Sequence, residues 1–291
     1  MHAFEYVVPK TLQEVINLKA EKGDEARLIA GGTDIIVQMR VGRRRPELVV
    51  QTKEVSELNE LSYDPQKGLT LGASVQCYRV YQDDAIAKAY PGLIDAASMI
   101  GSIQIQGRAS VGGNLCNAAP SGDCIPPLIA LRAVASVAGP NGTREIPVEE
   151  FCTGPGQNAL EPGEILVSIH IPPPQKLAGA HYLRFIPRNE MDIAVAGVGT
   201  SVVLDESGER FVSARISLAS VAPTPLLVQG VEESAAGQLA NEETFERLAE
   251  LSKLAARPIS DMRGTIDQRR HLCGVLTKRT LRGAIERARE A

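Results

Sequence analysis

Several common sources of function are missing from this 291-residue chain. No two of its five cysteines (Cys77, Cys116, Cys124, Cys152, Cys273) stand in C-x-x-C spacing, and no histidine lies close by in a zinc-finger arrangement. That argues against structural disulfides, zinc or an iron–sulfur cluster held by this chain; reduced, buried thiols are the default. No apolar run is long enough to cross a bilayer. The first nine residues lack a basic segment and a long apolar core, so no signal peptide is expected and the expected location is the cytoplasm. Positive charge is not in excess. A formal net charge of −4 argues against a general nucleic-acid binder. G-x-x-x-x-G-K and H-E-x-x-H are absent, and His2, His170, His181 and His271 are too scattered to support a Ser-His-Asp arrangement. They read as structural or surface residues. Repeats and low-complexity segments are also missing.

What remains is a globular composition, 44% hydrophobic and 23% charged, long enough for roughly two domains. A short strand over residues 4–8 ends at Pro9. Thr11 and Glu14 then form a capping box for a helix to residue 20, stopped by Gly23 and Asp24. Strands follow at 26–30, 48–50 and 68–74, with a short apolar segment at 35–39 between the first two. Residues 82–100 read as helix broken at Pro91, and the prolines at 126–127 open another helix. Residues 134–138 and 144–147 form a hairpin around Gly139-Pro-Asn-Gly142; Asn141-Gly142-Thr143 matches a glycosylation acceptor, but with no secretory route expected it reads as a turn. Residues 164–171 alternate and predict a half-exposed strand. Pro172-Pro-Pro174 marks the best boundary, giving domains 1–174 (subdomains about 1–55 and 56–174) and 175–291. Beyond it, strands at 180–185, 193–204 and 211–219 predict a three-stranded antiparallel sheet, followed by helices at 242–255 and 266–290. The arginines of the last helix (Arg269, Arg270, Arg279, Arg282, Arg287, Arg289) read as a solvated face, with a partner-docking face the lesser alternative.

Two glycine-rich stretches carry the functional signal. Residues 107–123 contain Gly107, Gly112, Gly113 and Gly122 among Ser110, Asn114, Asn117 and Ser121, and they close on Asp123. Side chains this small let backbone approach a bound group, and successive free N–H groups can hold an anion. A similar turn, Ala30-Gly31-Gly32-Thr33-Asp34, follows the strand at 26–30. Paired turns suit a pyrophosphate, with Asp123 accepting from a ribose hydroxyl or an adenine amino group. Asp34 and Asp123 are equally candidates for helix caps. Gly154-Pro-Gly-Gln-Asn-Ala fits a loose G-x-G-x-x-A pattern, but the proline and the missing helix exclude a dinucleotide fingerprint. Arg43-Arg44-Arg45 reads as a solvated loop, with docking of an acidic partner the lesser alternative.

The A-G-G-T-D turn, followed some eighty residues later by A-S-V-G-G-N-L-C-N-A-A-P-S-G-D, resembles the FAD-binding (medium) subunits of the molybdenum hydroxylases. The resemblance extends to Phe-Cys-Thr-Gly-Pro-Gly at 151–156, residues 164–172, Arg-Asn-Glu-Met-Asp-Ile-Ala at 188–194 and Ile-Ser-Asp-Met-Arg-Gly at 259–264. It covers nearly the whole chain in order and is closest to bacterial xanthine dehydrogenase FAD subunits.

The resemblance implies an α+β architecture: a vanillyl-alcohol-oxidase (PCMH-type) FAD-binding domain of two subdomains, then a smaller C-terminal domain of the carbon monoxide dehydrogenase flavoprotein type. By position, Leu28, Ile29, Ala30, Gly31, Gly32, Thr33, Asp34 and Ile35 would wrap the FAD pyrophosphate. Ser110, Val111, Gly112, Gly113 and Asn114 would hold its other side, with Asp123 near the adenosine ribose. Ile100, Leu166 and Arg184 match positions against the isoalloxazine. No side chain is implied as catalytic and no metal as bound. Molybdopterin-molybdenum and [2Fe–2S] clusters would belong to a large and a small partner subunit, in a dimer of heterotrimers. Electrons from hydroxylation of a purine, another N-heterocycle or an aldehyde would reach FAD and then NAD or another acceptor. A free-standing flavin oxidoreductase and a non-enzymatic nucleotide-binding scaffold are the alternatives.

Overall fold

Local capping signals place the first elements. The computed structural model describes residues 2–189 and 191–291, so Met1 and Glu190 (the latter within the 188–194 block) lie outside the described residues. After strand β1 (Glu5–Val7), the Thr11 hydroxyl accepts the Glu14 amide at 3.2 Å and opens helix α1 (Leu12–Lys22). The Glu14 carboxylate returns to the Lys10 amide (2.7 Å) rather than to that of Thr11, closing the box one residue early. Strand β2 (Ala26–Ile29), helix α2 (Ile35–Arg40) and strand β3 (Leu48–Gln51) complete a parallel sheet ordered β1-β3-β2. The apolar segment at 35–39 is therefore a helix.

A second, antiparallel sheet runs β4 (Leu61–Asp64), β5 (Gly68–Gly72), β10 (Ile165–Ile171), β6 (Val134–Gly139) and β7 (Gly142–Pro147) in spatial order. Helix α9 (Val148–Phe151) and the ribbon β8 (Cys152–Gly154) with β9 (Gln157–Asn158) separate β7 from β10. The G-x-G-x-x-A look-alike is this ribbon's turn, with Gly156 at φ +71°. β10 occupies the centre of the sheet and none of its residues is exposed, contrary to the half-exposed strand its alternation predicts. Its polar positions Ser168 and His170 are half-buried.

Six short helices connect β5 to β6: α3 (Cys77–Tyr81), α4 (Asp84–Ala89), α5 (Pro91–Ala97), α6 (Ile103–Gln106), α7 (Val111–Asn117) and α8 (Ile125–Ala130). Pro91 and the prolines of α8 all occupy first turns, where no amide hydrogen bond is lost. The middle of the 107–123 stretch is α7, not a loop.

The C-terminal part corrects the three-stranded expectation. Strands β11 (Ala178–Phe185), β12 (Ala196–Leu204), β13 (Phe211–Ala219) and β14 (Leu226–Leu227) form a four-stranded antiparallel sheet; β14 is only two residues long and has no readable alternation. Helix α10 (Val231–Ala235), Asn241-capped α11 (Glu242–Ala255) and Thr265-capped α12 (Ile266–Glu290) pack on it. Arg269 does not belong to a solvated face. It is 4% exposed and donates to the carbonyls of Val195 (2.8 Å) and Ser220 (2.9 Å) and to Asp261 (2.7 Å), tying α12 to two strand ends.

Candidate functional site

β2 runs into the first glycine turn, and the Thr52 amide and hydroxyl both reach the Ile29 carbonyl, fixing where the strand stops. Gly32 takes φ +79°, a left-handed conformation that side chains disfavour. A Cβ on Gly31 would stand 2.1 Å from the carbonyl oxygen of Arg108, so the two glycine stretches touch backbone to backbone. Arg108 Nε also reaches the Gly31 carbonyl (3.5 Å), and Gln38 on α2 donates to Asn117 on α7 (3.2 Å). The separate sequence signals at 30–34 and 107–123 thus form one clasp.

The glycines of this clasp have different reasons to be small. Gly112 faces the Ala73 backbone, where a Cβ would fall 2.6 Å away; its constraint is packing inside the protein. Ser110 caps α7 by accepting the Gly113 amide at 3.0 Å. Outside its own helix, a Cβ on Gly113 would meet only that hydroxyl within 4 Å. Gly113 therefore keeps open an approach that any side chain would fill, which is the feature required to admit a diphosphate beside the clasp. Asp34 sits at the N-cap position of α2 but makes no side-chain cap bond, so the capping role does not hold; the residue is exposed overall, and partial burial of its carboxyl pushes the pKa upward. Asn114 accepts the Cys124 amide (3.2 Å) and closes the stretch on itself.

Asp123 is not a helix cap either. It is 7% exposed, and it accepts from the Tyr182 hydroxyl at 2.7 Å and from Arg184 Nη1 at 2.6 Å. Burial pushes its carboxyl upward, against the Arg184 charge and the two hydrogen bonds. Burial and the neighbouring carboxylate hold the Tyr182 phenol well above its usual range, so it remains a donor. Arg184 Nη2 donates to the Met99 carbonyl (2.8 Å), next to Ile100, whose own carbonyl accepts from Gln106 (3.1 Å). One turn back along α5, Asp95 receives Arg287 through both terminal nitrogens (2.6 and 2.9 Å) and the Tyr182 amide (3.0 Å). Arg287 also donates to the Ala180 carbonyl (2.7 Å). Leu166 is 4% exposed on β10 at a register shift and packs into the core of the second sheet.

The structure therefore brings Gly31 against Arg108 and Ala109, and Gln38 against Asn117, on either side of residues 110–114 in the chain, and it joins Asp123, Arg184 and the Ile100 segment in a second group. Sequence reasoning missed Arg108, Tyr182, Asp95 and Arg287. Tyr182 and Arg184 alternate on one face of β11, a signal that was available. Asp95 and Arg287 lie 192 residues apart with no local mark. No group of three or more His, Cys, Asp or Glu side chains disposed to hold a metal occurs among the described residues. Among the described residues no helix is long and apolar enough to cross a membrane.

Two family descriptions match the chain: FAD binding domain in molybdopterin dehydrogenase over residues 2–174, and CO dehydrogenase flavoprotein C-terminal domain over residues 181–284. The putative xanthine dehydrogenase FAD-binding subunit of Escherichia coli K12 is 32% identical over 279 residues, covering 96% of this chain and 94% of its own. The carbon monoxide dehydrogenase medium chain of Hydrogenophaga pseudoflava is 29% identical, covering 97% and 96%. Among solved structures, a chain of the reconstituted CO dehydrogenase from Oligotropha carboxidovorans superposes with a TM-score of 0.93 at 27% identity, covering 98% of this chain and 99% of that one. A chain of quinoline 2-oxidoreductase from Pseudomonas putida 86 gives 0.90 at 29% identity, covering 99% and 98%. A glycine clasp with one open side, inside a chain matched end to end by these flavoproteins, belongs to the FAD-binding medium subunits of the molybdenum hydroxylases, and the protein is an oxidoreductase subunit of that family.

Proposed function

We propose that this chain is the electron-transfer subunit of a molybdenum hydroxylase complex, taking electrons from the iron–sulfur clusters of a small subunit and passing them to NAD or another acceptor. A large molybdenum-binding subunit would oxidise a purine, another N-heterocycle or an aldehyde, and the assembly would be a cytoplasmic dimer of heterotrimers. FAD supplies the redox chemistry when bound. The chain's own residues bind and orient it. Residues 28–35 and 110–114 hold the diphosphate from two sides with backbone N–H groups and the Thr33 hydroxyl. Asp123 lies at the ribose side, and Ile100, Leu166 and Arg184 border the isoalloxazine. Arg184 keeps the Asp123 charge compensated in a buried setting, so the carboxylate remains an acceptor while water is excluded.

The open approach at Gly113 carries this reading. Gly113→Val should still fold, because outside its helix the added Cβ meets only the Ser110 hydroxyl at 2.9 Å, which can turn aside, yet it should abolish FAD binding. Flavin absorbance and circular dichroism of the purified variant test this. Stoichiometric FAD in a folded Gly113→Val protein would refute the placement. Turnover of an organic substrate by the chain without partners would refute the subunit assignment.

A further inference from the structure

Helix α2 presents an unusual outer face. It turns Met39 inward at 3% exposure and spends Gln38 on Asn117, while Ile36, Val37 and Val41 stand 41%, 57% and 70% exposed. Positions 36, 37, 40 and 41 share one side of a helix, so the three aliphatic side chains form a stripe with Arg40 among them. At the end of α2 the chain folds back, the Arg43 amide reaching the Gln38 carbonyl at 2.9 Å, and Arg43-Arg44-Arg45 follow directly. Residues 36–45 thus hold four arginines and no acid, on a chain of net charge −4. None of the four pairs with a carboxylate among the described residues. Arg27, on the adjacent edge strand, is paired with Asp24 (3.2 Å); burial and then the Arg44 charge lower its pKa, which places Arg44 close by.

We infer that the α2 face, Ile36, Val37, Arg40 and Val41 with Arg43 to Arg45, is a docking surface for an acidic patch on a partner subunit of the same complex. An apolar centre with an arginine rim is the anatomy of a protein interface, where arginine is enriched and exposed aliphatics are covered. A nucleic acid would not require the aliphatic stripe. A membrane surface would need a longer amphipathic helix than six residues. The uncompensated charge sets orientation and association rate, which makes the contact salt-sensitive.

The inference rests on the subunit reading, and both can be examined together by measuring association of the full chain with its co-expressed, mass-identified partner subunits. Reversing Arg43, Arg44 and Arg45 to glutamate should weaken association at least about tenfold, as should Val37→Asp with Val41→Asp. FAD content and melting temperature should stay at wild-type values, and wild-type association should weaken as salt is raised. If the triple reversal misfolds, changing the same arginines to glutamine provides the measurement. Variants that assemble with wild-type affinity, association indifferent to salt, or a loss confined to anionic vesicles or nucleic acid would each overturn the docking face alone. A wild-type chain that joins neither subunit would overturn the subunit reading as well.

Discussion

The glycine clasp and the Asp123–Arg184 seam are held by opposite means. At the clasp, atoms are missing: Gly31 and Gly112 let backbone press on the backbone of Arg108 and Ala73, and Gly113 leaves a gap. At the seam, charges are added: Asp123, Tyr182 and Arg184, then Asp95 and Arg287, bind the C-terminal sheet and α12 to α5 and the 118–124 segment. Steric absence tolerates no substitution but needs no partner. Buried charge tolerates substitution only in pairs, because a lone ion out of water is costly.

That contrast is open to attack. Gly31→Val should have the largest effect: a branched side chain in space already filled by the Arg108 carbonyl should destabilise the fold by on the order of 3 kcal/mol or more and abolish FAD retention as well. Urea denaturation measures it, and a stable, flavin-loaded variant would mean the two turns separate easily. Arg184→Met comes next. With both side chains of the pair at most 10% exposed, leaving Asp123 unpaired should cost about 3–5 kcal/mol. Adding Asp123→Asn should recover much of that loss, and failure to recover would show that the pair is not the unit.

The smallest effect concerns His181, beside Asp95 (3.9 Å) and packed against Gly283. Burial, then the Arg287 charge, pushes its pKa below the ordinary 6.5. The unfolded chain therefore takes up the proton first, so this stabilising contribution is present above pH 6.5 and is lost as pH falls below it. His181→Gln should remove this part of the acid sensitivity, worth about 1–3 °C in melting temperature. The exposed Arg282–Glu242 pair on α11 and α12 serves as the control; its removal should leave melting unchanged.

Much of the fold was legible because its signals are local. Thr11, Asn241 and Thr265 cap the helices they precede, and residues 242–255 and 266–290 match α11 and α12 end to end. The failures share a cause. The alternation of β10 reads as a wet face, although Ser168 and His170 are half-buried in the central strand. Arg269 and Arg287 were read as solvated, although one satisfies two buried carbonyls and the other a carboxylate 192 residues away. Residues 107–123 read as a glycine-rich turn, although α7 forms within them; glycine lowers helix propensity, which the Ser110 cap and packing on Ala73 override.

By itself, the sequence determined the two glycine turns, their order and the domain order, since these depend on residue size and local backbone preference. Only the tertiary structure decided that Gly31 meets Arg108, that Gly112 serves the interior while Gly113 stays open, and that Asp123 is shared with Tyr182 and Arg184. Size is a property of each residue, whereas a contact or a charge partner exists only once distant segments have packed together.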